Sequence, residues 1–455
     1  MLVPRVPNDE VPLTFCQLWT WNVLELDRNE STRSIAAAIR LLGPMDAQSL
    51  RSCFRELIAR HEALRTRIVM KRGIPFQEID ATIKEPLEVI DLRVLPLDRH
   101  EWEAKRLAEE LVHESYPLHV GPLFAARLLI LSEREHVLVV AMDHIVSDYA
   151  SLGIFLKELW VLYAQAARGQ QLSLPKTPIQ FADFSVWLLK DHLRWMDQHG
   201  AYWRERLAGA RHLELFAGES GMTHAPSIKM ATWPVHLSLD ITNQLRELSR
   251  KQRTTLVMSA LTAYVASMFR WCERSDLVVT FVAMARLNPE IAQTIGYFGG
   301  ASLYLRVELG AADTFVDLLA RVSREHSAAF QRADSGRIAV QAPRPEFMTN
   351  PRFNWIPQAF NINPKGATHR SEGDEAIKLE QRPFELAPCD DFDARGGAPE
   401  LVLSDTPTGI AGVFWYRADH ASRSGVERFV REFQAVAEQM ATDSMNRVIA
   451  ASCEQ

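Results

Sequence analysis

Cysteine is scarce in this 455-residue chain and poorly placed for cross-linking: Cys16, Cys53, Cys272, Cys389 and Cys453 are odd in number and widely spaced, with no C-x-x-C pair. That pattern argues against a disulfide framework or a zinc site and fits a reducing cytoplasm. No apolar run approaches the roughly 18 residues that suggest a membrane span. The opening MLVPRVPNDEVP lacks the charged-then-apolar order of a signal peptide. No long basic block offsets a net charge of −6, which argues against nucleic acid as a partner. Also missing are G-x-S-x-G, the P-loop, H-E-x-x-H and any metal-spaced His/Cys cluster, so serine-hydrolase, nucleotide-triphosphatase and zinc-enzyme readings lose their main support.

What the chain does have is apolar mass. Hydrophobic residues make up 47% and charged residues 24%, ordinary for a globular protein and ample at this length for more than one folding unit. The most informative stretch is VLVVAMDHIVSDYASL (137–152). Val137 to Met142 form a β-branched apolar run, the pattern of a strand buried on both faces. The run ends at Asp143 and His144; Asp148 follows, and Leu152, Phe155, Leu159 and Tyr163 then recur at helical spacing. An acid and a histidine thus end a buried strand and a second acid opens a helix. By itself the triplet reads as readily as a structural histidine as a catalytic one.

Along the chain, Trp19 and Trp21 are expected to be buried, and residues 34–43 read as a strand and turn. Asp46 is placed to cap a helix with Leu50, Phe54, Leu57 and Ile58 on one face. Further strands are expected at 66–70, 122–131 and 136–142, the last two pairing across SERE. Residues 169–210 read as a connector whose helical part is interrupted at Gly200, with a lobe boundary near residue 180. The second half repeats strand, helix and strand: a strand at 230–239, Asp240 as a helix cap, Thr254 or Thr255 opening an apolar helix, a strand-like run at 277–286, another strand within 295–309, and helices at 314–331 and 424–441. The Gly299–Ser302 sequence GGAS looks like a phosphopantetheine attachment site, but its flanks are strand-like and it is read as a glycine-bearing strand.

Several motifs together resemble the condensation domains of nonribosomal peptide synthetases, members of the chloramphenicol-acetyltransferase-like acyltransferases. The resemblance runs from about Pro12 to Ala441. It rests on LTFCQLWTW (13–21), RHEALRTRI (60–68), DHIVSDY (143–149), IQFADFSVWL (179–188), YWRERLAG (202–209), IGYFGG (295–300) and FMTNPRFNWIPQAFNIN (347–363), in the family's order. It implies an α/β (α+β) fold of two similar lobes, 1–180 and 181–455, in a V-shaped pseudo-dimer with the active site at their junction. It implies no cofactor of the protein's own: the phosphopantetheine arm arrives on an acyl-loaded carrier protein. The acceptor is a small soluble amine or alcohol, or a second carrier. With no recognisable carrier, adenylation or thioesterase segment, the chain reads as a free-standing, cytoplasmic monomer, with chain release as one role.

By the same resemblance His144 matches the catalytic second histidine of His-His-x-x-x-Asp-Gly. An imidazole titrates near neutrality and suits accepting a proton from an attacking amine or hydroxyl. Asp148 matches the motif aspartate, a brace expected to pair with Arg65. Asp143 replaces the first histidine, a position regarded as structural, and Tyr149 replaces the usual glycine. Tyr149, Ser151, Gly299, Gly300 and Asn361 are the candidates for lining a substrate tunnel. The family's His-x-Asp-Val-Pro-Phe-Glu segment is not recognisable in 331–340. Asp143, Asp148 and Ser151 also fit the Asp-x4-Asp-x2-Ser signature of heterocyclisation domains, although those normally lack the second histidine. Epimerisation domains share the core motif too, and a catalytically degenerate docking scaffold is the non-enzymatic alternative.

Overall fold

The computed structural model describes residues 2–6, 10–26, 34–82, 84–216, 230–284, 286, 289–298, 300–332, 350–355, 379–384 and 398–449. The chain divides into two units. One comprises Met1–His192 with Arg286–Gly299 and Phe360–Cys389; the other comprises Leu193–Ala285, Gly300–Ala359 and Asp390–Gln455. Where the sequence suggests contiguous lobes meeting near residue 180, this division falls inside the helix Phe181–Arg206, and two later segments return to the first unit.

The first unit is built on a five-stranded sheet ordered Glu380–Pro383, Ser34–Leu42, Glu135–Asp143, Phe124–Ser132 and Leu87–Asp91. Neighbours are antiparallel except the last pair, which is parallel. The expected hairpin across SERE is present, and Val137 to Met142 are wholly buried. Alternation sends their side chains to opposite faces. Val137, Val139 and Ala141 pack with Ala104, Ala108 and Leu111 of the helix Leu97–Val112. The helices Ala47–Arg60 and Tyr149–Ala167 pack on each other through Phe54 and Phe155, and Phe155 in turn meets Phe124 of the sheet. A small antiparallel sheet joins Val11–Pro12, Ile74–Ile79 and Thr66–Lys71.

The second unit has a six-stranded sheet ordered Gly300–Glu308, Asp276–Met284, Arg352–Trp355, Glu400–Thr406, Gly409–Arg417 and Met230–Ser238. Only Arg352–Trp355 runs parallel to its neighbours. Every residue from Met258 to Phe269 of the helix Leu256–Cys272 is buried, as an all-round apolar helix requires.

Local chemistry explains most helix starts. Asp46 accepts from the N–H groups of Gln48 and Ser49, and Thr255 from that of Met258. Two expectations need correction. The cap before Leu239–Lys251 is Ser238, which accepts from Ile241; Asp240 sits in the first turn, where the helix dipole favours its charge. The helix Phe181–Arg206 continues through Gly200, because glycine costs an interior about 1 kcal/mol against alanine yet removes no hydrogen bond, and buried Trp195 and Trp203 anchor it on either side. Trp21 is partly buried; the side chain of Trp19 lies outside the described residues. The Cys16 and Cys53 thiols are pushed up to about 12 by burial, and that of Cys272 to about 11, so none is a ready nucleophile.

Candidate active site

The strand Glu135–Asp143 ends in a turn that its last residue organises. The Asp143 N–H donates to the Leu123 carbonyl, and its carboxylate accepts from the Ile145 N–H at 2.8 Å. Its own carbonyl accepts from the Ser147 hydroxyl at 2.9 Å and from the Val146 N–H at 3.1 Å. Ile145 and Val146 are buried with Leu13, Ile68, Tyr116 and Leu123. The apolar pair inside DHIVSDY is therefore the anchor that seats the turn, and Asp143 does the folding work of an aspartate that bonds the backbone two residues on.

Gln17 holds the same turn from another element. Thr14 and Gln17 exchange side-chain to backbone hydrogen bonds at the start of the helix Phe15–Leu26, a reciprocal cap. That leaves the Gln17 amide N–H groups for the Ile145 carbonyl at 2.8 Å and the Gln77 side-chain oxygen at 3.3 Å. On this platform His144 is half-buried, its Nδ1 lies 2.7 Å from the Ser147 carbonyl, and its ring sits against Tyr297 with centroids 4.5 Å apart. A carbonyl only accepts, so the contact places a proton on Nδ1 and, in the neutral ring, leaves Nε2 as the lone-pair nitrogen.

Asp148 caps the helix Tyr149–Ala167, accepting from the N–H and the hydroxyl of Ser151. Its ion-pair partner is Arg286, at 2.7 Å. The expected pair with Arg65 is not formed: the Arg65 guanidinium donates to the Asp80 carbonyl at 2.7 Å and lies 3.9 Å from Glu62. The reason is tertiary. Arg286 is nearly buried and also donates to the Ser151 hydroxyl oxygen and to the Ile291 and Thr294 carbonyls, with its guanidinium 4.5 Å from the Phe298 ring centroid. One planar donor fork thus ties the helix start to the segment 291–298.

Ser151, expected to line a tunnel, is instead fully buried in this network. Its hydroxyl accepts from the Gly296 N–H and shares its proton between Asp148 and the Gly296 carbonyl. Gly296 is there because nothing larger fits: a Cβ would come within 2.4 Å of the Phe181 ring and 2.6 Å of Phe181 Cβ. Gly296→Ala is therefore expected to cost about 1–3 kcal/mol through overpacking, measured as a lowered thermal midpoint; a wild-type midpoint would mean that the segment does not pack this closely. Tyr149 is 42% exposed in the first helical turn. Gly300 opens a strand and pairs with Met284, and the GGAS sequence continues into that strand through Ser302. Gly299 and Asn361 lie outside the described residues.

The RHEALR segment supports the helix rather than the histidine turn. Arg60 and His61 both reach Glu158, which is buried on the helix Tyr149–Ala167; the His61 Nε2 contact is 2.7 Å. Burial holds the His61 imidazole below its usual range, against the pull of Glu158. Among the described residues no cluster of three His, Cys, Asp or Glu could hold a metal, and no helix is long and apolar enough to cross a membrane.

The architecture and the motif order converge in a family match: the model described as "Condensation domain" covers residues 7–444. The chain belongs to the condensation domain family. Over 459 residues it is 30% identical to malpinin synthetase of Mortierella alpina, covering 99% of this chain and 6% of that protein. Over 444 residues it is 29% identical to one of the linear gramicidin synthase proteins of Brevibacillus parabrevis, covering 96% and 6%. Phosphinothricin tripeptide synthetase PhsC of Streptomyces viridochromogenes is 29% identical over 448 residues, 97% of this chain and 40% of that protein. This condensation domain therefore spans a minor part of each of these relatives. Among solved structures, the X-domain from teicoplanin biosynthesis superposes with a TM-score of 0.80 at 21% identity, over 98% of both chains. SgcC5 from Streptomyces globisporus does so at 0.75 and 22%, over 96% of this chain and all of that one (100%). At those identities the likeness is one of fold.

Proposed function

We propose that this condensation domain is an acyltransferase. It moves an acyl, polyketide or peptidyl chain from a carrier-protein phosphopantetheine thioester to an amine or hydroxyl acceptor. The observation that supports it most is the His144 geometry: Nδ1 is tied to the Ser147 carbonyl at 2.7 Å, so Nε2 is left to take a proton. The acceptor's lone pair attacks the thioester carbonyl, its N–H or O–H proton passes to Nε2, and the tetrahedral centre collapses with loss of the pantetheine thiolate. The proton then returns to that sulfur. The products are an amide or ester and a free carrier thiol. Because a thioester is already activated, much of the remaining work is positioning. Asp143, Asp148 and Arg286 act in this reading as braces of the turn and of the helix start, touching no substrate. A small soluble acceptor, and a place in chain release, are the finer form of the proposal.

The test is to mix an acyl-loaded carrier protein with a panel of amines and alcohols and follow product by mass spectrometry. New amide or ester dependent on the protein is expected. Carrier binding without product across the panel would overturn the reading in favour of a docking platform. A dehydrated, cyclised product from a cysteine or serine acceptor would instead favour heterocyclisation.

A further inference from the structure

In the segment Ile295–Phe298, three residues are locked into the first unit and the fourth meets the histidine. Ile295 and Phe298 are buried. Gly296 is pressed on Phe181 and bonded to Ser151 through both its N–H and its carbonyl. Phe298 is held between Phe181, Phe184 and the Arg286 guanidinium. Tyr297 is half-buried, and its ring lies 4.5 Å from the His144 ring with the planes 49° apart.

We propose that Tyr297 is a positioning residue for His144. Its ring is the wall that keeps the imidazole turned with Nδ1 on the Ser147 carbonyl and Nε2 outward. This rests on the reading of His144 as the proton acceptor. A histidine side chain has two torsions and two inequivalent ring nitrogens. The hydrogen bond to Ser147 favours the Nδ1–H tautomer, but alone it leaves the ring able to pivot off that carbonyl, after which either nitrogen can carry the proton. A second contact from a separately anchored element removes the pivot, as a preorganised site requires. Tyr297 supplies it from a segment braced through Ser151, Arg286 and Phe181, so the braces that touch no substrate still act on the imidazole through this ring. The contact also strengthens as the reaction proceeds, because an imidazolium formed on proton uptake is attracted by an aromatic π system more than the neutral ring is.

The experiment compares Tyr297→Ala, Tyr297→Leu and Tyr297→Phe in the full chain by NMR of nitrogen-labelled histidine and by steady-state kinetics with the loaded carrier and the acceptor that turns over fastest. In the wild type and the Phe variant, His144 is expected as the Nδ1–H tautomer with its carbon-bound protons displaced by the neighbouring ring. In the Ala and Leu variants that displacement is lost and the second tautomer becomes populated. The kcat falls roughly ten-fold while KM for the carrier stays within about two-fold, and Phe restores it. An unchanged His144 tautomer and kcat in both truncations would overturn the inference. So would a Phe variant as impaired as Ala, since the contact would then act through the hydroxyl. The NMR arm needs no turnover, so it decides the positioning role even where no acceptor reacts. A fully active His144→Ala would sink the proton-acceptor reading and leave the tautomer result to stand separately.

Discussion

Replacing Arg286 with methionine is expected to lower the stability of the first unit by about 3–5 kcal/mol, read as a fall in the urea midpoint. The substitution keeps an unbranched apolar stem but withdraws every donor of the fork. Asp148 is left with the Ser151 N–H and hydroxyl, and the Ile291 and Thr294 carbonyls lose their cation. Removing one partner strands a charge, which costs more than the pair itself contributes. Asp148 retains some solvent contact, so the lower end of the range applies. Arg286→Met combined with Asp148→Asn should recover part of the loss, because the amide oxygen introduced there can still cap the helix without leaving a charge unpaired. Arg286→Lys should recover little: one ammonium cannot serve a carboxylate and two carbonyls and also lie flat against Phe298. Arg65→Met is the contrast, with an expected cost under about 1 kcal/mol, since among the described residues Arg65 makes one side-chain hydrogen bond, to a carbonyl, and a distant ion pair. Equal damage from the two methionine variants would contradict the assignment of Arg286 as the brace.

The contrast between these two arginines marks where the sequence stops being legible. The strand Glu135–Asp143 and the caps at Asp46 and Thr255 are marked by local pattern, and each is present; the turn after Asp143 is local in its own hydrogen bonds but is also held from a distance by Gln17. The partner of Asp148 is not local. Arg286 is separated from it by 138 positions, and the motif match at RHEALR draws attention to Arg65 instead. A signal is there all the same. LVVTFVAMAR (277–286) ends a buried apolar run with a charge, the same grammar that marks out VLVVAMDH. Such a charge calls for a partner; the one Arg286 finds is Asp148, the cap of the helix Tyr149–Ala167, rather than Asp143, whose carboxylate bonds its own turn.

Ser151 and Gly296 show the other limit. A serine three positions after an aspartate reads equally as a cap partner or as a tunnel wall, and only the arrival of Arg286 and Gly296 decides between them. The glycine of IGYFGG could be marked as a special position, but its reason is the Phe181 ring more than a hundred residues earlier, at the start of another helix. Close approach of this kind leaves no periodicity to read. Size alone suggests Tyr149 as a tunnel residue; its side chain stands 42% exposed in the first turn of the helix that Asp148 caps.

His144→Ala is expected to reduce kcat by about 10²–10⁴-fold with carrier binding and the thermal midpoint near wild type. The stability expectation follows from its surroundings. The imidazole is half-buried and its hydrogen bond goes to a carbonyl of its own turn, while the turn itself is held by Asp143, Ile145, Val146 and Gln17. The activity expectation follows from the proton. Without an acceptor at Nε2, the attacking group must lose its proton to water or keep it through the tetrahedral stage. For a hydroxyl acceptor the neutral nucleophile is weak and the loss should lie toward the upper end. For a free amine, whose lone pair is already available, it should lie toward the lower end. Comparing the two acceptor classes in the same variant therefore separates proton acceptance from mere packing: a packing role would slow both equally. A variant that keeps its rate within about three-fold for both classes would remove His144 from the chemistry and leave the turn as a structural feature of the first unit.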